Sequence, residues 1–230
     1  MDIIRAIGTR GAKAFAALRD ELADAADFAP DADSAGRRAL RNAVLDFLAA
    51  ATGMPDLAAE QYAGARNMTD RLVALTVLVH RFPEAAATHA ALADFYERFE
   101  DNALVIDKWF SLQATAPTVR ALETVKALAG HPKFQLTNPN RARALIGAFA
   151  AGNQVGFNRA DGEGYAWVAE MIHSLDELNP QIAARIATAF RSWRCFESGR
   201  REKARESLAQ LSEKTNLSID LRDIVDRSLA

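Results

Sequence analysis

The chain has 230 residues, half of them hydrophobic and a quarter charged, which is the composition of a protein that buries a core. Its net charge of -2 and its pI near 6.1 argue against a dedicated nucleic-acid binder. The single cysteine, Cys195, excludes an intramolecular disulfide and suits a reducing compartment. No signal peptide or apolar run of membrane-spanning length is visible, so we expect a cytoplasmic protein without a membrane partner.

Apolar residues recur at helical spacing along most of the chain. The first predicted helix begins after Gly36 and carries Leu40, Val44, Phe47 and Leu48 on one stripe. Cap residues, prolines and apolar spacing predict further helices, in chain order, after Asn67, from Pro83, after Asn102, from Pro117, from Pro139, over about 164–178, from Pro180, over about 199–211 and from Ser218 to the end.

No segment shows sustained two-residue alternation between turn signals, so strands are not expected. Roughly ten helices joined by short connections predict an all-α fold, in which antiparallel helix pairs stack as an array. No repeat of fixed length is obvious in the sequence. The one long irregular stretch, 152–164, contains four glycines and is predicted to be a surface loop.

The residues alone offer no catalytic constellation. None of the four histidines belongs to an H-E-x-x-H motif. Glu170 and His173 have the E-x-x-H spacing of di-iron bundles, but those sites need two such motifs, so we interpret them as a surface or partly buried polar pair. Cys195 is interpreted as an inert thiol.

Two arginines stand out in helices that begin at Asn138-Pro139 and Asn179-Pro180, where asparagine caps and proline occupies the first turn. Arg143 flanks the predicted stripe Ala142, Leu145, Ile146 and Phe149; Arg185 lies at the edge of the stripe Ile182, Ile186, Ala189 and Trp193. From the residues alone, a structural salt bridge or a solvated side chain is the favoured interpretation. The alternative is a pair of guanidinium groups that face a channel and bind a carboxylate or carbonyl.

At these residues the chain resembles the C-terminal domain of bacterial aminopeptidase N, over about residues 20–230. The motifs that carry the resemblance are Arg38-Ala-Leu-Arg-Asn42, Asn67-Met-Thr-Asp70, Val105-Ile-Asp-Lys-Trp-Phe110-Ser-Leu-Gln-Ala-Thr115, Asn138-Pro-Asn-Arg-Ala-Arg143, Phe157 with Asp161-Gly-Glu-Gly-Tyr165, and Asn179-Pro-Gln-Ile-Ala-Ala-Arg185.

The resemblance implies an ARM/HEAT-like helical superhelix and a single C-terminal domain over residues 1–230, truncated at its N-terminal side. Members of the family are zinc-dependent aminopeptidases that remove N-terminal residues from peptides. In them a metal-activated water attacks the first peptide carbonyl. The zinc is held by H-E-x-x-H and a distant glutamate in an upstream catalytic domain, so this chain itself would hold no metal or other cofactor and would be inactive alone.

The resemblance also implies a role for three residues. It places Arg143 and Arg185, and with them Gln181, on the wall of the substrate cavity beyond the scissile bond. The implied partners are the peptide substrate and the catalytic domain of the same polypeptide. A rival interpretation is a free-standing helical scaffold that binds a peptide or protein in its concave face. A third, that the chain is itself an enzyme, predicts hydrolysis of an alanyl chromogenic substrate by the purified chain.

Overall fold

A computed structural model describes residues 3–23 and 28–230, and every regular element within those ranges is helical. The chain divides into two compact units, Met1–Phe99 and Glu100–Ala230. The prediction of an all-α fold is therefore confirmed, whereas the assignment of residues 1–230 to one truncated domain stays a prediction. No helix in the described ranges is both long and apolar enough to cross a bilayer.

The first unit contains five helices. They are α1 (Ile3–Glu21), α2 (Ala32–Thr52), α3 (Asp56–Gly64), α4 (Met68–Arg81) and α5 (Ala86–Phe99). The cap predicted at Asn67 is present, since its side chain accepts a hydrogen bond from the backbone N–H of Asp70. Helix α5 begins at Ala86, a few residues after the predicted start at Pro83.

The predicted start of α2 after Gly36 is wrong. The carboxylate of Asp31 accepts a hydrogen bond from the backbone N–H of Ser34 at 2.9 Å, so the helix is capped earlier and runs through Gly36. Val44 and Leu48 are buried as the stripe predicted, but Leu40 is 46% exposed. A capping bond of this kind outweighs the helix-weakening effect of one interior glycine.

Helices α1 and α3 were not predicted from the sequence. The backbones of α1 and α2 approach closely at Gly8, where a Cβ atom would lie 2.2 Å from the carbonyl oxygen of Phe47. Packing against α2 stabilises α1. Such a contact between two helices cannot be detected from the spacing of apolar residues within α1 alone.

The second unit contains the remaining helices. They are α6 (Ala103–Ala114), α7 (Ala121–Ala129), α8 (Pro139–Ala142), a π-helical turn (Arg143–Gly147), α9 (Ala148–Gly152), α10 (Gln154–Phe157), α11 (Glu163–Asp176), α12 (Pro180–Ala187), a 3₁₀ segment (Thr188–Cys195), α13 (Ser198–Ser212) and α14 (Ile219–Leu229).

The side chains of Asn102, Asn138, Asn179 and Ser218 all accept hydrogen bonds from backbone N–H groups in the helices they precede. These four helix starts are confirmed. Helix α7, in contrast, begins at Ala121 and not at Pro117.

The interpretation of residues 152–164 as a surface loop is wrong, because the segment contains α10 and is anchored in the core. The side-chain amide of the buried Asn153 donates hydrogen bonds to the carbonyl oxygens of Ala114 (2.9 Å) and Ala116 (2.7 Å). Phe157 packs edge-to-face against Phe149. The polar residues and glycines in this segment suggest a loop, but here they form a tightly packed turn whose buried polar groups are hydrogen-bonded.

Aromatic rings form the core around this turn. Phe149 contacts the ring of Trp167, and Phe157 contacts the rings of Tyr165 and Phe190. All five side chains are buried. Their packing fixes the helices that carry the two candidate arginines, α8–α9 and α12, within the same unit.

Candidate functional site

The helix that starts at Asn138 is interrupted by the π-helical turn Arg143–Gly147. The backbone N–H of Ala148 donates to the carbonyl oxygen of Arg143, five residues earlier. On the neighbouring helix α6, the hydroxyl of Ser111 donates to the carbonyl oxygen of Ala144 at 3.0 Å. Single π turns inside α-helices are frequent at functional sites, where they change the direction of the side chains that follow.

Arg141, immediately before this turn, is a structural residue. Its Nε lies 3.1 Å from Oδ1 of Asp107, at an angle that does not align a hydrogen bond, and its side chain is only 7% exposed. The guanidinium also lies over the ring of Phe110, 4.9 Å from its centroid. A salt bridge therefore exists at Arg141, which is not one of the two candidate arginines.

Arg143 and Arg185 are both exposed. Nη1 of Arg143 donates to the side-chain oxygen of Asn140 at 2.9 Å, which leaves its other donors uncommitted. Within the described ranges, no carboxylate lies in ion-pair distance of Arg143, and the guanidinium of Arg185 has neither a hydrogen-bond nor an ion-pair partner. A guanidinium that is not paired with a carboxylate can offer its charge and its planar pair of donors to a ligand.

The two arginines line one groove of about 520 Å³. Its lining residues are Arg143, Gly147, Ala150, Ala151, Gln154, Arg185, Ile186, Thr188, Ala189 and Ser192. Gly147 lies between the two sides, since a Cβ atom there would be 3.8 Å both from Cβ of Arg143 and from Cγ1 of Ile186. Two positive charges, small residues and no acidic side chain in this lining make the groove suited to a carboxylate or to peptide carbonyl oxygens.

Gln181 is exposed in the first turn of α12 but is not among the residues that line the groove. The structure thus brings together two of the three predicted residues. Gln154, Thr188 and Ser192 line the groove as well, and the sequence carried no signal for them. Gln154 lies in the segment that was predicted to be a loop. Thr188 and Ser192 lie in the 3₁₀ segment that begins at Thr188, which the apolar spacing did not predict.

The described part of the chain does not fit a zinc ion, because it has no cluster of three or more histidine, cysteine, aspartate or glutamate side chains. Glu170 and His173 line a separate cavity between α11 and α13. Glu170 is exposed and His173 is half-buried, in agreement with their interpretation as a surface or partly buried pair. Cys195 is exposed.

Comparisons with known proteins agree on one family. The family described as "Domain of unknown function (DUF3458_C) ARM repeats" matches residues 1–230. The chain is 41% identical over 196 residues to aminopeptidase N of Escherichia coli and 36% identical over 214 residues to aminopeptidase N of Caulobacter vibrioides, alignments that cover 84% and 92% of the chain.

Among solved structures, the chain is similar to that of Legionella pneumophila aminopeptidase A in complex with aspartic acid. The TM-score is 0.88 at 29% identity, over 99% of this chain and 27% of that one. The chain spans only about a fifth to a quarter of the length of the curated relatives, 22% and 25% for the two above. These comparisons identify the fold and the family of the segment.

Proposed function

Because the chain belongs to the ARM-repeat family that forms the C-terminal part of bacterial aminopeptidase N, we propose that it is the C-terminal domain of a longer, zinc-dependent aminopeptidase. In this proposal it caps the active site and lines the channel that holds the substrate peptide beyond the bond that is cut. The domain works in the cytoplasm, and its partners are the peptide and the catalytic domain of the same polypeptide.

One observation carries the proposal: Arg143 and Arg185 line the same groove, and neither guanidinium is paired with a carboxylate among the described residues. A peptide that extends past its first residue presents carbonyl oxygens and, when short, a terminal carboxylate. Guanidinium groups bind both with paired N–H donors, and they bind a carboxylate more strongly because it is charged. Arg143 and Arg185 are therefore proposed to position the peptide, and Gln181, which does not line the groove, remains a weaker candidate.

The chemistry itself is assigned elsewhere. The described residues provide no metal-binding cluster, so we place the zinc and the groups that activate water in the catalytic domain of the longer protein. This chain contributes binding and orientation, which lower the barrier by holding the reacting bond in place. We expect the purified chain to leave an alanyl chromogenic substrate intact even with added zinc, and zinc-dependent turnover would contradict this.

The proposal is tested by Arg185→Ala in the longer protein. Peptide substrates reach the groove, whereas a single-residue amide does not, so kcat/KM should fall by roughly tenfold or more for a peptide and change little for the amide. Arg191→Ala is the matched control, because Arg191 is an exposed arginine close in sequence that does not line the groove.

Equal losses on both substrate classes would show that Arg185 acts on folding or docking and not on peptide binding.

The rival function, a free-standing scaffold that binds a peptide or protein, makes a different prediction. It requires a natural start codon at Met1 and a coding sequence upstream without H-E-x-x-H.

A further inference from the structure

The π-helical turn Arg143–Gly147 changes the hydrogen bonding of the helix that carries Arg143. In an α-helix, the backbone N–H of Ala148 would donate to the carbonyl oxygen of Ala144, four residues earlier. Here that N–H donates to the carbonyl oxygens of Arg143 and Leu145. The carbonyl oxygen of Ala144 therefore loses its usual α-helical donor. Because Ala144 is buried, a donor from another part of the protein is needed to satisfy this oxygen.

Ser111 of helix α6 supplies the replacement donor. Its hydroxyl donates to the carbonyl oxygen of Ala144 at 3.0 Å. Asp107, one turn earlier on the same face of α6, lies 3.1 Å from Nε of Arg141. Helix α6 thus contacts the interrupted helix at two points, one just before the π turn and one within it.

The turn sets the direction of one of the groove arginines. Arg143 is its first residue and Gly147 its last, and both line the groove. A turn closed by a bond over five residues contains one residue more than an α-helical turn, and successive residues of an α-helix are rotated by about 100°. If the turn relaxed to an α-helix, Arg143 would therefore rotate by about 100° relative to the residues that follow the turn. A bond that stabilises the turn also fixes the direction of this guanidinium.

We propose that Ser111 is a positioning residue for the peptide groove: its hydroxyl holds the π turn, and the turn directs Arg143 toward the bound peptide. This inference rests on the function proposed for the groove. Ser111 is not among the residues that line the groove, so it acts through Ala144 and Arg143 and not by contact with the peptide.

The first test is hydrogen exchange in the 230-residue chain, which involves no substrate. Ser111→Ala removes the hydroxyl, so the backbone N–H groups of residues 144–149 should exchange at least about fivefold faster, while exchange in α13 stays unchanged. Ser207→Ala is the matched control, because the buried Ser207 donates its hydroxyl at 3.1 Å to a carbonyl oxygen of its own helix, that of Lys203. The control should leave exchange of residues 144–149 at the wild-type rate. Wild-type exchange in Ser111→Ala, or equally faster exchange in α13, would refute the local support of the turn.

The second test measures KM and kcat in the longer protein. Ser111→Ala should raise KM for a peptide about threefold and leave kcat, and both constants for a single-residue amide, unchanged. Because Ser111 acts through Arg143, the same substitution should have no further effect on KM in the Arg143→Ala background. An equal increase in both backgrounds, or an equal loss for the amide, would overturn the positioning role.

The two tests separate a failure of this inference from a failure of the proposed function. Wild-type exchange in Ser111→Ala refutes the role of Ser111 whatever the groove binds. Arg143→Ala without any effect on the peptide would contradict the assignment of the groove itself, and with it the positioning role, even where exchange is faster as expected.

Discussion

At the scale of single residues, two arginines two positions apart have opposite environments: Arg141 is buried and Arg143 is exposed. Arg141 is four residues before Leu145 and Arg143 three before Ile146, so both flank the buried stripe. The sequence identifies the apolar stripe, but it does not show which side of the stripe another helix buries. Burial of Arg141 depends on Asp107 and Phe110 of helix α6, which are more than thirty residues away in the chain.

This difference predicts unequal effects on stability. Arg141→Ala should lower the free energy of unfolding by about 2–3 kcal/mol, because it leaves the carboxylate of Asp107 largely buried without a counter-charge. Arg143→Ala should change it by less than about 0.5 kcal/mol, because Arg143 is exposed. Urea unfolding of the two variants measures both values, and similar losses would contradict the structural role of Arg141.

A second prediction at this scale concerns pH. Burial, and then the charges of Arg141 and Lys133, lower the pKa of His131 below its ordinary value of 6.5. The backbone N–H of Lys133 donates to Nδ1 of His131 at 3.1 Å, a bond that requires this nitrogen to be unprotonated. As the pH falls through about 6.5, the unfolded chain takes up the proton before the folded chain does, so stability falls with pH.

The free energy of unfolding should therefore drop between about pH 7.5 and about pH 5.5, and His131→Gln should reduce this drop. Urea unfolding at the two pH values, with wild type and variant in parallel, provides the measurement. An identical pH dependence in the two proteins would show that protonation of His131 does not differ between the folded and unfolded states.

At the scale of elements, the helix starts were predictable where a side chain caps the backbone locally. Asn67, Asn102, Asn138, Asn179 and Ser218 all cap as expected, because capping involves only neighbouring residues. The predictions were wrong where contacts between residues distant in the sequence determine the local structure. Residues 152–164 look like a loop, and only the bonds of Asn153 to the end of α6 and to the residues after it show that they belong to the core.

The candidate site was partly predictable for the same reason. The Asn-Pro starts place Arg143 and Arg185 in new helices, and periodicity places both beside a buried stripe. Periodicity assumes a uniform helix, however, so it could not predict the π turn at Arg143–Gly147, which Ser111 of another helix supports. Arg143 and Gly147, the first and last residues of that turn, line the groove together with Arg185.

The backbone of residues 152–164, the segment predicted as a loop, packs so closely that a single added methyl group should destabilise the fold. A Cβ atom on Gly164 would lie 2.4 Å from the carbonyl oxygens of Gly156 and Phe157, so Gly164→Ala should destabilise the chain by about 2–3 kcal/mol. Gly36 is the matched control within a helix, since no atom lies within 4 Å of its Cβ position.

Gly36→Ala should stabilise the chain by about 0.5–1 kcal/mol, because alanine favours the helix. Thermal unfolding of both variants gives the comparison. If Gly164→Ala unfolds at the same temperature as the wild type, the close approach of α11 to α10 is not required for the fold.

At the scale of the whole molecule, the family and the structure describe a helical ARM-repeat segment, and we propose that it binds and positions a peptide without performing the chemistry. Its match to the ARM-repeat family and to aminopeptidase N is extensive, yet it covers about a quarter or less of those enzymes. The proposed peptide groove lies within the second compact unit, and the described residues contain no cluster that could hold a metal ion. We therefore expect function to appear only in the longer protein.

The most direct test of the peptide groove is a double-mutant cycle of Arg143→Ala and Arg185→Ala in that longer protein. If both guanidinium groups hold the same peptide, their effects on kcat/KM for a peptide should be coupled by more than about 0.5 kcal/mol, whereas a single-residue alanyl amide should show no coupling. Independent effects on the peptide, or equal losses for peptide and amide, would contradict the assignment of this groove to the substrate.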